Sequence, residues 1–166
     1  LMKLPGDFFG TFMPELQEKN MKIQLIGFVD ELPESTKKVV LKAVEDTKEN
    51  TGMVLTFALN YGSRAEIIEA TKALANEVKS GKISVEDIND EAFARKLQTS
   101  FLGELQDPDL MIRTSGEVRL SNFLLWQLAY SEYYFTDIFW PDFSEEDLHK
   151  AILTYQGRHR RYGGLA

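Results

Sequence analysis

The sequence predicts an α/β fold, a parallel sheet flanked by helices, as one domain over residues 1–166. Three observations carry that reading. Strand patterns alternate with helical patterns along the chain, four of each, as a parallel sheet with crossover helices requires. The runs Met53–Leu59 and Leu110–Ile112 are short and apolar, the signature of buried parallel strands. No repeat, low-complexity tract or evident linker interrupts the chain.

In order, Pro5 opens a helix that carries Phe8, Phe9, Phe12, Met13 and Leu16 on one stripe and stops at Lys19-Asn20. Lys22 to Gly27 alternates as a strand does. After a turn at Asp30–Pro33, a helix runs from Pro33 or Glu34 to about Asn50, with Val39, Val40, Ala43 and Val44 inward and Gly52 as its C-cap. Met53–Leu59 is the second strand. Asn60-Tyr61-Gly62 follows at its carboxyl end, and a helix spans Ser63 to about Lys79, with Ser63 and Glu66 at capping-box spacing. Gly81 breaks the chain before two short acidic helices near Ser84 and Asp90–Leu97. Leu110–Ile112 is the third strand. A helix is expected from Asn122 and an aromatic strand over Tyr134–Trp140, which Pro141 stops. Ser144 caps a last helix with the apolar face Leu148, Ile152 and Tyr155, ended by Gly163-Gly164.

Bulk properties exclude several classes. The chain is 43% apolar and 27% charged, an ordinary globular balance. Its net charge of −7 argues against nonspecific nucleic-acid binding, and no nucleic-acid partner is expected. No apolar run approaches the roughly 20 residues of a membrane span, and no signal-peptide pattern opens the chain. Cysteine is absent, which removes thiolate chemistry and fits a cytoplasmic protein. With two histidines and no cysteine, a zinc site is not expected.

Chemistry concentrates between Asp109 and Phe143. Arg113 stands where the third strand ends, in a sheet whose ligands sit beyond strand carboxyl ends. The turn Thr114-Ser115-Gly116-Glu117 follows, then Arg119 and Ser121 at the expected helix mouth. Two planar guanidinium forks, a hydroxyl and a helix start within nine residues suit a diphosphate. The same residues also read as an arginine paired with Glu117 and a serine that caps a helix; spacing alone leaves both open.

The run Asp109-Leu-Met-Ile-Arg-Thr-Ser-Gly-Glu-Val-Arg-Leu-Ser-Asn-Phe-Leu-Leu-Trp-Gln, with Ala129-Tyr-Ser-Glu and Trp140-Pro-Asp-Phe, resembles the cis-prenyltransferase family, and within it the bacterial undecaprenyl diphosphate synthases. Asn60-Tyr61-Gly62-Ser63-Arg64-Ala65-Glu66 resembles a second family motif, and Arg161-Tyr162-Gly163 its C-terminal Arg-x-Gly ending. The likeness covers nearly the whole chain in order.

The resemblance implies a transferase of isoprenoid biosynthesis with an undecaprenyl diphosphate synthase-like fold. It would condense isopentenyl diphosphate with an allylic partner such as (2E,6E)-farnesyl diphosphate, giving the di-trans,poly-cis lipid carrier of cell-wall biogenesis. It implies that Arg113, Arg119, Leu120 and Ser121 bind the isopentenyl diphosphate and that Glu132 is a magnesium ligand. Asn60 is implied to support the site from behind. Arg161 and Gly163 are implied to reach a partner's active site in a homodimer. Met53, Leu55 and Phe57, with the Phe8–Phe12 helix as a wall, are candidates for lining the product tunnel; composition alone favours ordinary core for them. Product release implies proximity to a membrane. A straight helix from Ser121 to Glu132 would hold those two about 15 Å apart, so either it breaks or Glu132 meets the metal by another route.

The family's Asp-Gly-Asn-Gly-Arg loop, with its catalytic aspartate, and its Ser-Thr-Glu-Asn-Trp segment are not in this sequence. The expectation is therefore a C-terminal portion of the enzyme, truncated at the N-terminus, without a catalytic residue of its own and inactive alone. Two alternatives stand beside it: a non-catalytic partner subunit of a two-component cis-prenyltransferase, and a generic diphosphate-binding α/β protein.

Overall fold

The structure is a computed structural model that describes residues 4–158, with side chains from residue 6. The chain divides into two compact units, Leu1–Phe101 and Leu102–Ala166. Both are built from parallel strand pairs and helices, as the α/β reading requires.

In the first unit, α1 (Leu4–Glu18) leads into β1 (Lys22–Ile26), α2 (Glu34–Asp46), β2 (Val54–Ala58), α3 (Ser63–Lys79) and the short α4 (Asp90–Ala94). β1 and β2 run parallel, with Ile23 opposite Leu55 and Leu25 opposite Phe57. The stripe of α1 packs against them: Phe9 and Leu16 are buried with Met21, Ile23, Val40 and Ala43, and Phe8, Leu55 and Phe57 lie against that core. The Phe57 ring meets Phe8 and Phe9 edge-on, at centroid distances of 5.4 and 5.2 Å, a geometry that favours aromatic pairs. Thr47 ties α2 to β1: its buried hydroxyl donates to the Ala43 carbonyl at 2.9 Å and accepts from the Ile23 amide at 3.0 Å.

Two local expectations differ here. α2 ends at Asp46, so Gly52 is not its C-cap. Gly52 instead lies against the α1–β1 turn; its amide donates to the Asn20 carbonyl at 2.9 Å, and a Cβ there would stand 2.5 Å from the same oxygen. Ser63 and Glu66 form no capping box. Gly62 is the N-cap of α3 and makes no side-chain cap bond, while Glu66 turns inward and is 1% exposed.

In the second unit, β3 (Leu110–Arg113) and β4 (Glu132–Phe135) pair in parallel, with Leu110 opposite Glu132 and Arg113 opposite Phe135. The aromatic strand thus starts and stops earlier than Tyr134–Trp140, and Trp140–Asp142 forms a 3-10 turn. α5 (Glu145–Gln156) has the expected Ser144 cap: Ser144 and Asp147 bond each other's backbone amides reciprocally. α5 ends at Gln156, with Gly157 as its C-cap; Gly163-Gly164 lies outside the described residues.

The largest local difference is at residues 121–130, where turns replace the expected helix. Ser121, Asn122 and Leu124 have φ of +49°, +65° and +45°, values a right-handed helix cannot contain. The burial spacing still looks helical, because Leu124 and Leu128 are both inside and one bond joins the Leu128 amide to the Leu124 carbonyl at 2.9 Å.

Candidate functional site

β3 delivers Arg113 to its carboxyl end, and the loop that follows folds back on it. Ser115 and Gly116 take φ of +68° and +69°; their amides donate to the carbonyls of Ile138 and Thr136, at 2.8 and 2.9 Å. A Cβ on Gly116 would meet an Asp137 carboxylate oxygen at 3.1 Å. The turn therefore lies close along the 136–138 segment and returns the chain toward β3.

That return brings Arg113, Arg119 and Ser121 together. The Ser121 Oγ accepts from Arg113 Nη1 at 3.3 Å and from Arg119 Nε at 3.2 Å. Arg113 Nη1 also donates to the Arg119 carbonyl, and Arg119 Nη1 is paired with the Glu117 carboxylate. The two guanidinium groups thus converge on one hydroxyl. They border a concavity of 270 Å³ whose apolar wall is Met111, Ile112, Leu120 and Phe123. Cationic forks with a hydroxyl beside an apolar wall suit an amphipathic ligand with an anionic head. A helix N-terminus is not part of this site, since no helix starts at 121–122. Any anion there meets side chains rather than a helix dipole.

Glu132 is elsewhere on the ladder. It opens β4, three residues before the partner of Arg113, which is about 10 Å along a strand. No helix runs from Ser121 to Glu132, which removes the helical constraint on their separation. Its carboxylate is held by Arg158, whose Nη1 donates to Glu132 Oε2 at 2.7 Å and to the Tyr133 carbonyl at 2.9 Å. The pair spans 26 positions, beyond the reach of any local sequence pattern. Among the described residues no group of three or more His, Cys, Asp or Glu side chains stands ready for a metal. One carboxylate already paired with an arginine does not make a magnesium site, so these residues alone do not fit that metal. Arg161 and Gly163 lie outside the described residues.

The other predicted residues lie in the first unit. Asn60 has φ of +50°, and its side-chain amide donates to the Phe28 carbonyl at 3.3 Å and to Glu31 at 2.8 Å. It ties the carboxyl ends of β1 and β2 together. Leu55 and Phe57 face the α1 aromatics, whereas Met53 precedes β2 and is 63% exposed. Sequence reasoning missed the links around them. Gln98 accepts from the Gly27 amide at 2.5 Å; the buried Glu66 accepts from the Tyr61 hydroxyl at 2.5 Å and the Gln98 amide at 2.8 Å. Nothing local in the sequence signals contacts across 71 and 32 positions.

Comparison with known proteins places this architecture. A lavandulyl diphosphate synthase from Lavandula x intermedia, solved with dimethylallyl diphosphate, superposes with a TM-score of 0.94 at 36% identity, over 98% of this chain and 70% of that one. A probable undecaprenyl diphosphate synthase from Campylobacter jejuni superposes at 0.82 with 28% identity, over 98% of this chain and 72% of that one. The fold is thus that of the cis-prenyltransferases. The family model described as putative undecaprenyl diphosphate synthase matches residues 1–163, and the chain belongs to that family. The (2E,6E)-farnesyl-diphosphate-specific ditrans,polycis-undecaprenyl-diphosphate synthase of Micrococcus luteus is 59% identical over 165 residues, and an isoprenyl transferase of Bacillus thuringiensis is 54% identical. Each match covers 99% of this chain but only 65% and 63% of the relative, so the chain spans a little under two thirds of their length.

Proposed function

We propose that this chain carries the isopentenyl diphosphate-binding part of a cis-prenyltransferase that makes undecaprenyl diphosphate from farnesyl diphosphate. The observation that supports it is the convergence of Arg113 and Arg119 on Ser121 beside an apolar wall. In this reading the arginines grip the diphosphate, Ser121 donates to a phosphoryl oxygen, and Leu120 packs against the isoprenyl carbons. Each condensation forms one carbon–carbon bond, releases diphosphate from the allylic partner and a proton from the homoallylic one. Holding the homoallylic head fixed contributes orientation, which is a large part of catalysis between two bound substrates.

The catalytic aspartate and the allylic site belong, in this proposal, to sequence outside these 166 residues, which are inactive alone. Their phosphate loop is not among them. Residues 1–166 are read as one stretch of a single catalytic domain. Magnesium, with Glu132 as one ligand, and a homodimer completed by Arg161 and Gly163 belong to the full-length reading. Asn60 is a supporting residue of the full-length active site, and Met53, Leu55 and Phe57 line the product tunnel. A cytoplasmic enzyme that releases product at a membrane surface completes the picture; no helix among the described residues is long and apolar enough to cross a membrane.

Calorimetric titration of isopentenyl diphosphate into the chain tests the central claim. Arg113→Gln and Arg119→Gln are each expected to weaken binding by about tenfold or more, the size of a lost charge-assisted hydrogen bond. Wild-type affinity in both variants would overturn it.

A further inference from the structure

The cluster of Arg113, Arg119 and Ser121 includes one acid, and the proposed function gives it nothing to do. Glu117 follows Gly116 in the turn, and its carboxylate is paired with Nη1 of Arg119 while Nε of the same guanidinium donates to Ser121. The carboxylate thus takes one edge of the fork that a phosphoryl oxygen would use. Carboxylate and phosphate offer a guanidinium the same planar, two-oxygen geometry. We infer that Glu117 is an internal competitor for the diphosphate, a latch that closes Arg119 in the absence of ligand and must leave for the anion to enter. This rests on the reading of the cluster as a diphosphate site.

Three features support a latch over a fixed brace. The pair is partly solvated, with side-chain exposures of 63% for Arg119 and 38% for Glu117, so breaking it costs little. Glu117 lies just past two residues with positive φ, Ser115 and Gly116, in a turn rather than in a helix or strand that would fix it. Arg113 does not depend on Glu117. It is held by the Arg119 carbonyl and Ser121, so the cradle keeps its shape when the acid swings out. A polyvalent anion, attracted to both arginines, displaces the latch more readily than a monovalent one. Glu117 would therefore set a threshold of ligand charge for entry.

The test is titration of inorganic diphosphate into the full chain and its variants, with circular dichroism confirming the fold. Glu117→Gln is expected to tighten binding about three- to tenfold at low ionic strength, and the gain should shrink in about 0.5 M salt as exposed charges are screened. Glu117→Ser gives the same readout should the glutamine variant fail to fold. If both Glu117 variants bind as wild type or more weakly while Arg119→Gln binds more weakly, the cluster is a diphosphate site and the latch is wrong. If Arg113→Gln and Arg119→Gln both bind as wild type, diphosphate is held elsewhere, and latch and site fall together.

Discussion

Gly27 shows how one residue can fix the carboxyl end of a strand. It has φ of +115°, and a Cβ there would stand 1.9 Å from the Leu59 carbonyl oxygen. Its amide is meanwhile engaged by Gln98 at 2.5 Å. Gly27→Ala is therefore expected to lower unfolding stability by about 3 kcal/mol or more, because strained φ and a backbone clash add. Urea denaturation checks this, and a loss under about 1 kcal/mol would show that the β1–β2 end relaxes easily. The contrast between Arg113 and Arg158 shows which site residues sequence can reveal. Arg113, Arg119 and Ser121 lie within nine positions at a strand end, so strand periodicity and turn chemistry pointed to them as one cluster. Arg158 reaches Glu132 across 26 positions, and Gln98 reaches Gly27 across 71. Such pairings depend on tertiary packing, which no local pattern encodes. Glu117 was visible as a partner for an arginine; that the arginine would be Arg119 inside the cluster was not.

At the scale of elements, chemistry confined to one turn was legible and chemistry that competes with packing was not. The Ser144–Asp147 reciprocal cap starts α5 where its sequence places it, since all its atoms lie within four residues. Residues 121–130 have helix-like apolar spacing but turn repeatedly, because left-handed φ at three positions prevents a helix while Leu124 and Leu128 still reach the interior. Ser63 and Glu66 had capping spacing, but the buried bonds to Tyr61 and Gln98 took Glu66 instead. The end of α3 offers a pH test. Glu77 is paired with Lys82 at 2.6 Å and with Lys96, just beyond α4, at 2.8 Å. The two ammonium groups hold its carboxyl down to about 2, against an ordinary 4.5. A carboxyl lowered on folding stabilises the folded state above its unfolded pKa, and that contribution fades as pH falls from about 4.5 toward 2. Glu77→Gln should therefore melt lower than wild type near neutral pH, and the gap should close on acidification through that window. A gap that stays constant with pH would mean that the clamp acts through packing rather than charge.

For the molecule as a whole, the notable fact is how its strands are partnered. Among the described residues β1 pairs with β2 alone and β3 with β4 alone. A two-stranded ladder has two open edges, and a lone pair of strands is marginal without helices against it. Here α1 and α2 pack beside the first pair and α5 beside the second. Val54 on β2 is 38% exposed, and Phe139 and Trp140 of the second unit are 65% and 71% exposed. Exposed apolar side chains on and near short strand pairs favour strand addition from another copy. The isolated 166-residue chain is therefore expected to associate with rising concentration, as sedimentation velocity would record. Val54→Lys, which places a charge on an exposed position of β2 without emptying the core, should reduce that association and leave the melting temperature nearly unchanged. If association persists at full strength in Val54→Lys, the β2 edge is not its source and the Phe139–Trp140 surface becomes the next to substitute. A chain that stays monomeric at every concentration would show that its open edges are already protected by their twist and short length.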